Sequence, residues 1–299
     1  MPAFPALRIA VIGSGNIGSA FAFQLAQTSG HDVTVVARPH SARLHQLQRD
    51  NGIVNVAGER AAVTVTDSLD ERIAYDVVIV TVMAHQVDAL VPALQRSAAH
   101  RILFVFNNFE PERLRAVIGT ERCDFGMPFI QASLDQEGRL NAKIGAGGQK
   151  TRLSQQRWVD VFNAAGLPAV MEPNMLLWLR CQVPLCVAFE SVSVTSVRRG
   201  GGATWTEAMV LARGVHESYA LIQGLGHQVY PSGKAWLKAS PYWVMAAVLW
   251  SVSRIKSFRE LLAGAVEECR ALINVMTIAA NAENVRVDIA NIEAMRPPQ

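Results

Sequence analysis

Val11-Ile12-Gly13-Ser14-Gly15-Asn16-Ile17-Gly18 is the stretch that decides how this chain reads. Its three glycines fall at G-x-G-x-x-G spacing, directly after an apolar β-branched run (7–12) and just before a helical pattern (19–28). In that context each glycine has a mechanical task. Gly13 permits the tight turn, Gly15 lets backbone come close to a pyrophosphate, and Gly18 allows close packing of helix on strand. The helix that follows begins with unpaired amides and the positive end of its dipole, which together favour an anion. Gly13, Ser14, Gly15, Asn16, Ile17 and Gly18 are therefore the candidate dinucleotide-binding residues.

Working outward from the loop, further buried strands are expected at 32–37, 76–82 and 102–106, each a near-continuous run of Val, Ile, Leu or Phe. Runs of that kind, rather than alternating ones, suit parallel strands covered on both faces. Their separation by helical stretches indicates βαβ units and an α/β fold with a doubly wound parallel sheet of Rossmann type. From 123 to 147 short extended pieces with Gly and Asp turns predict a hairpin or an edge pair. After Pro173 the texture changes. Helices are expected over 174–197, 204–225, 231–254 (one or two) and 257–282, with Thr204 and Glu207 spaced as a capping box. The chain divides into a dinucleotide-binding domain (1–170) and an all-helical C-terminal domain (171–299) that would serve substrate binding and dimerisation.

The end of the second strand addresses the choice of dinucleotide. An acidic residue there would bind a ribose 2′-hydroxyl, but the strand closes on Arg38, with Ser41 and Arg43 nearby. Asp32 stands at the wrong end. A guanidinium and a hydroxyl suit a 2′-phosphate, so NADP is the expected cofactor.

Composition narrows the function classes. In 299 residues, half are apolar, 18% are charged and the formal net charge is +3. That excludes a disordered chain, and with no basic stripe it offers nucleic acid no electrostatic footprint. The four cysteines form neither a disulfide framework nor a metal-ligand pattern, so no metal is expected and buried thiols in a reducing compartment are. The apolar run 242–250 is too short to span a bilayer. A cytoplasmic protein with a small-molecule partner and no membrane or nucleic-acid partner is expected, with a homodimer through its helical half.

The combination of the N-terminal glycine loop, Arg38 closing strand two, V-T-V-M-A-H-Q-V at 80–87, Asn107 after strand four, a helical second half and N-A-E-N-V-R at 281–286 resembles the ketopantoate reductase (2-dehydropantoate 2-reductase) family. The resemblance implies a two-domain enzyme in which NADPH delivers hydride to a 2-keto acid in the cleft between its halves. It implies that Arg38 holds the 2′-phosphate and that Asn107 works at the nicotinamide end, as a cofactor-binding and catalytic residue. The family normally has lysine where this chain has Met83.

The second half departs further. The resemblance places Arg180 where the family carries a lysine general acid, and Pro184 and Ala188 where it carries asparagines. Phe258 falls at the family carboxylate, with Glu260 two residues away, and Ala246 at its serine. No lysine occurs between Thr151 and Gly233. Arginine offers charge and a fork for a carboxylate but is a poor proton donor. Arg180 is thus the candidate catalytic cation, with Lys256, Tyr242, His216 or water as proton donor. Pro184 predicts a kink beside it. Glu190, in an otherwise apolar stretch, reads as a surface carboxylate before a buried one with a shifted pKa. Trp236, Tyr242, Trp243 and Trp250 read as core or dimer interface, and their bulk hints at a substrate less polar than ketopantoate. Three functions fit: a reductase of a divergent carbonyl or imine substrate, a ketopantoate reductase proper, and a non-catalytic NADP(H)-binding redox sensor.

Overall fold

The computed structural model describes residues 5–264 and 266–298. Two compact units emerge. One runs to Phe106 and resumes over Glu112–Met175; the other holds Asn107–Pro111 and the chain from Leu176.

The first unit is built on an eight-stranded sheet of β1 (Arg8–Ile12), β2 (Asp32–Val36), β3 (Thr64–Thr66), β4 (Val77–Val80), β5 (Ile102–Val105), β6 (Cys123–Met127), β7 (Thr151–Leu153) and β8 (Ala169–Met171). The spatial order is 3-2-1-4-5-6-7-8. Every neighbouring pair is parallel except β6 with β7. β4 and β5 are buried throughout, and β1 and β2 at all but their first residue, as two-sided cover requires. The chain reverses its direction of travel across the sheet between β1 and β4, the switch point at which such sheets bind ligands. Helix α1 (Asn16–Ser29) follows β1, and α2 (Ala42–Arg49) follows β2. Phe21 of α1 meets Phe162 edge-on at 5.0 Å in the core beneath them. Helices α3 (Val91–Arg96), α4 (Pro111–Ile118) and α5 (Gln156–Ala164) complete the alternation. The stretch read as an edge pair divides: Cys123–Met127 joins the large sheet, and only Gln131–Leu134 with Leu140–Lys143 form a hairpin.

The second unit contains α6 (Met175–Arg199), which continues through Pro184, α7 (Trp205–Gly224), α8 (Ser232–Ala239), α9 (Tyr242–Val252), α10 (Lys256–Leu262), α11 (Val266–Ala282) and α12 (Ile289–Glu293). Helix α7 packs on α9, α11 and α12. Thr204 caps it in a reciprocal box with Glu207. The single helix expected over 257–282 is broken after Leu262, where Gly264, a poor helix former, interrupts it. Helix α6 is long and apolar enough to cross a membrane, yet 72% of its apolar window is buried within the protein.

Of the two readings of the aromatic cluster, core or dimer interface, the structure overturns the first. Trp236, Tyr242, Trp243 and Trp250 are all at the surface, with Trp236 61% exposed. Helix α9 carries no charge around its circumference, so burying Met245, Ala246 and Leu249 leaves its other apolar face outward.

Candidate active site

The glycine turn is fixed from behind by Thr81, the residue after β4. Its amide donates to the Ile12 carbonyl at 2.9 Å, and its hydroxyl donates to the Gly13 carbonyl at 3.0 Å. Gly13 adopts φ +106°, a conformation open to glycine. A methyl group on Gly18 would lie 1.8 Å from the Gly13 carbonyl oxygen and 2.5 Å from the Thr81 hydroxyl. Those two glycines are required by packing. Gly15 is different: a methyl there would meet nothing within 4 Å. It is exposed, it stands at the N-cap of α1, and no side chain caps the helix. The first turn of α1 also contains no acidic residue. An open cradle above uncapped amides fits a diphosphate.

Arg43 braces the same loop. Its Nε donates to the Ser14 carbonyl at 3.1 Å, one terminal nitrogen donates to the Ser19 hydroxyl at 2.7 Å, and the other to the Gly138 carbonyl at 2.6 Å. Burial pushes its pKa down to about 10, partly offset by Asp50. Arg43 therefore works behind the loop, as part of its frame. Asn16, exposed at the start of α1, accepts a hydrogen bond from the Leu134 amide at 3.1 Å. Ile17 packs its side chain on the core. Arg38 is exposed two residues beyond β2, and its guanidinium has no ion pair among the described residues. The Ser41 hydroxyl is spent on capping α2, accepting from the Leu44 amide at 3.1 Å and donating to the Arg38 carbonyl at 2.7 Å. The hydroxyl expected to assist Arg38 is thus already engaged.

A second group of functional side chains lies in the helical unit. Asn107, two residues past β5, is 7% exposed, and its amide nitrogen donates to Glu268 Oε1 of α11 at 3.1 Å. Its Oδ1 is buried without a hydrogen-bond partner in the protein. A buried carbonyl oxygen left in that state costs about 1–3 kcal/mol unless a ligand satisfies it, and a carboxamide N–H is the right chemistry to do so.

Arg180 does not present an open fork. It is 6% exposed, its Nε donates to the Phe109 carbonyl at 3.0 Å, and a terminal nitrogen donates to His227 Nε2. The guanidinium carbon also lies 5.8 Å from the centre of the Phe109 ring. These contacts clamp the Asn107–Pro111 segment to α6. Pro184, one turn on, has no N–H to return to the Arg180 carbonyl.

Glu190 is buried, contrary to the surface placement expected of it. It lies on the same helix as Arg180 and accepts a hydrogen bond from the Cys269 thiol at 3.0 Å. Burial, and then the neighbouring Glu268 carboxylate, push its pKa up to about 8, with the Cys269 contact opposing. Its neighbours Val187, Ala188, Ser191 and Val192 are all buried, so the lone acid in an apolar run marks an interior position here. The remaining expected positions carry no polar constellation. Ala246 is wholly buried, and Phe258 stacks edge-on against Phe189 at 5.6 Å. Lys256 is a surface cation 3.8 Å from Glu260, and Tyr242 packs edge-on against His216 at 5.0 Å.

Three residues that sequence reasoning did not assign carry much of this geometry: Thr81, Glu268 and Lys234. Thr81 is 68 residues from Gly13, and Glu268 is 161 from Asn107, so no local spacing reveals either pair. Lys234 stands at the start of α8, 7% exposed. Its ammonium is 4.2 Å from the centre of the Trp178 ring and 3.4 Å from the Trp178 carbonyl oxygen.

Comparison with known proteins agrees with this fold. The family described as ketopantoate reductase PanE/ApbA matches residues 9–155. Among solved structures, a PanE/ApbA family ketopantoate reductase from Ralstonia eutropha JMP134 superposes with a TM-score of 0.71 at 16% identity, covering 96% of this chain and 95% of that one. A 2-dehydropantoate 2-reductase from Porphyromonas gingivalis W83 gives 0.68 at 17%, covering 97% and 98%. D-mandelate dehydrogenase, solved as a ternary structure with NADH and anilino(oxo)acetate, gives 0.71 at 14%, covering 96% and 95%. At such identities the likeness is one of fold. No curated protein sequence matches the chain.

Proposed function

We propose that this chain, which belongs to the PanE/ApbA ketopantoate reductase family over residues 9–155, is an NADPH-dependent reductase of a 2-keto acid or a similar carbonyl or imine. The observation that carries the reading is the turn at Gly13–Gly18. Two of its glycines are sealed by packing, while Gly15 alone stands open over the uncapped start of a 14-residue helix.

The residues divide the work as follows. Backbone at Ser14, Gly15, Asn16 and Ile17 would hold the diphosphate, with Gly13 and Gly18 setting the loop's shape. Arg38 would bind the 2′-phosphate, as a free cation at the end of β2 with no acidic residue beside it to claim a 2′-hydroxyl. Asn107 would receive the nicotinamide end through its orphaned Oδ1. When bound, the reduced nicotinamide supplies a hydride to the carbonyl carbon. The chain's own residues must then meet charge and a proton demand at the substrate oxygen. Arg180 is a positioning residue in this scheme, holding the Asn107 segment through the Phe109 carbonyl.

The D-mandelate dehydrogenase likeness, a fold shared with a protein bound to an aryl oxoacetate analogue, makes aromatic 2-keto acids worth testing beside ketopantoate. The test is titration of the purified protein with NADPH and with NADH, followed by turnover with ketopantoate and with phenylglyoxylate. The reading expects tighter NADPH binding and NADPH oxidation that depends on one of the two acids. Binding of NADPH with no turnover of any carbonyl compound would favour a sensor instead.

A further inference from the structure

Reduction of a carbonyl leaves one proton to be found, and Arg180, Lys256 and His216 are poorly placed to provide it. Arg180 is held in two hydrogen bonds and carries a group that does not release protons in proteins. Lys256 is on the surface. The His216 ring is buried with its Nε2 unpartnered in the protein, and burial, then Lys238, disfavour its charged form.

Lys234 is placed otherwise. It rises from the first turn of α8 into the interior of the helical unit, and it lies against Trp178, half a turn before Arg180 on α6. Two thiols locate it further. The Cys181 thiol is pushed up by burial, and among the groups that oppose this are Lys234 and Arg180. The Cys186 thiol is pushed up by burial and then by Glu190, with Glu268 adding and Gln182 and Lys234 opposing. Lys234, Glu190 and Glu268 thus all act on the Cys186 thiol of α6, and Glu268 is the carboxylate that accepts from Asn107. An ammonium, two carboxyls and an amide with an unmet acceptor belong to a single folded unit. Lysine, unlike arginine, can release a proton and regain it.

We propose that Lys234 is the catalytic proton donor of this chain, acting on the substrate oxygen from α8. The inference rests on the reductase reading above. As the carbonyl carbon accepts hydride, the C=O π pair moves to oxygen. That oxygen takes a proton from Lys234 Nζ; an N–H bond breaks, an O–H bond forms, and the lysine is left as a neutral amine. Water returns a proton to the amine, so each turnover consumes one hydride, carrying two electrons, and one solvent proton. The titratable and charged groups around it are the Cys181 and Cys186 thiols, with Arg180 also acting on Cys181, and Glu190 and Glu268 on Cys186.

Lys234→Ala, Lys234→Met and Lys234→Arg test the role, each assayed with NADPH and with ketopantoate or phenylglyoxylate. The alanine variant is expected to lose about 100-fold or more in kcat, in the range that general-acid groups contribute, with KM changed far less. Methylamine in the buffer should restore activity to it in proportion to concentration. The arginine variant should stay inactive although it keeps the charge and the Trp178 contact. A readout independent of turnover is the tryptophan emission of the wild type minus that of Lys234→Met across pH. It should show one step, as Trp178 loses its cation, and the step should fall at the alkaline limb of the kcat profile. Active wild type with Lys234→Ala within about threefold of it, or with no amine rescue, overturns the assignment. Loss of turnover in Glu190→Gln alone would move the role to that carboxyl. If the wild type binds NADPH but reduces no carbonyl compound, the reductase reading itself fails and the donor role goes with it.

Discussion

The Thr81 hydroxyl donates to the Gly13 carbonyl across 68 residues of sequence, joining the end of β4 to the glycine turn after β1. That bond, with the Gly18 backbone pressed beneath it, separates the structural glycines of the loop from the one that faces a ligand. Gly18→Ala is expected to destabilise the protein by at least about 1–3 kcal/mol, the usual penalty of overpacking, because its new methyl collides with backbone. Gly15→Ala has room and an ordinary φ of −74°, so its stability should change by less than about 1 kcal/mol. Its affinity for NADPH should nevertheless fall about tenfold or more, since the methyl fills the cradle. Denaturant melts beside NADPH titrations check the split. Equal loss of binding and stability in both variants would contradict it.

Arg38 and Arg43 should behave as opposites although both lie just after β2. Arg38→Glu is expected to leave stability unchanged and to weaken NADPH about 10–100-fold, the worth of a charge-assisted contact at 1.4 kcal/mol per tenfold. NADH affinity should change little or improve. Arg43→Met is expected to lose about 2–3 kcal/mol of stability by leaving the Ser14 and Gly138 carbonyls unpartnered. Isothermal titration with both dinucleotides, and thermal melts, separate the two arginines.

Glu190 makes stability depend on pH in a definite direction. Its folded pKa, about 8, lies above the ordinary glutamate value of 4.5. Between those values the folded state holds a proton that the unfolded state has released, so its contribution to stability is greatest below 4.5 and declines as pH rises to about 8. Glu190→Gln, which keeps the acceptor for Cys269, should flatten that decline. Denaturant midpoints at pH 5 and pH 9 check it: the variant should gain on the wild type at the higher pH, and parallel shifts at both would contradict the placement.

The capping box at α7 is a local test of the same kind. Thr204→Ala is expected to lose about 1 kcal/mol, because the Glu207 amide would lose its acceptor. Glu207, held down to about 2 chiefly by Arg199, contributes stability above the ordinary value of 4.5 that is lost as pH falls through about 2. A Thr204→Ala melt unchanged from the wild type would remove the cap from the account.

The centre of the sheet was legible because its strands are short, largely apolar runs, and because Gly13, Gly15 and Gly18 perform tasks that act within a few residues. The helix α1 begins at Asn16, inside the motif, where an apolar pattern reads only from Ser19. The candidate catalytic residues were harder to read for a physical reason. Arg180 looks like an available cation in sequence, but its fork is consumed by Phe109, 71 residues away, and by His227. Glu190 looks like a surface acid until burial and its Cys269 partner are seen. The stretch without lysine that follows Thr151 ends one residue short of Lys234, whose significance comes only from the packing of α8 on Trp178. Pairs made across helices leave no periodic trace.

The most direct test of the reductase reading is NADPH oxidation by the purified wild type with ketopantoate or phenylglyoxylate, with the 2-hydroxy acid product measured alongside. The reading predicts oxidation that requires the keto acid, with one hydroxy acid formed for each NADPH consumed. Protein that saturates with NADPH but oxidises none of it with either acid, or with other carbonyl and imine compounds, would contradict that reading.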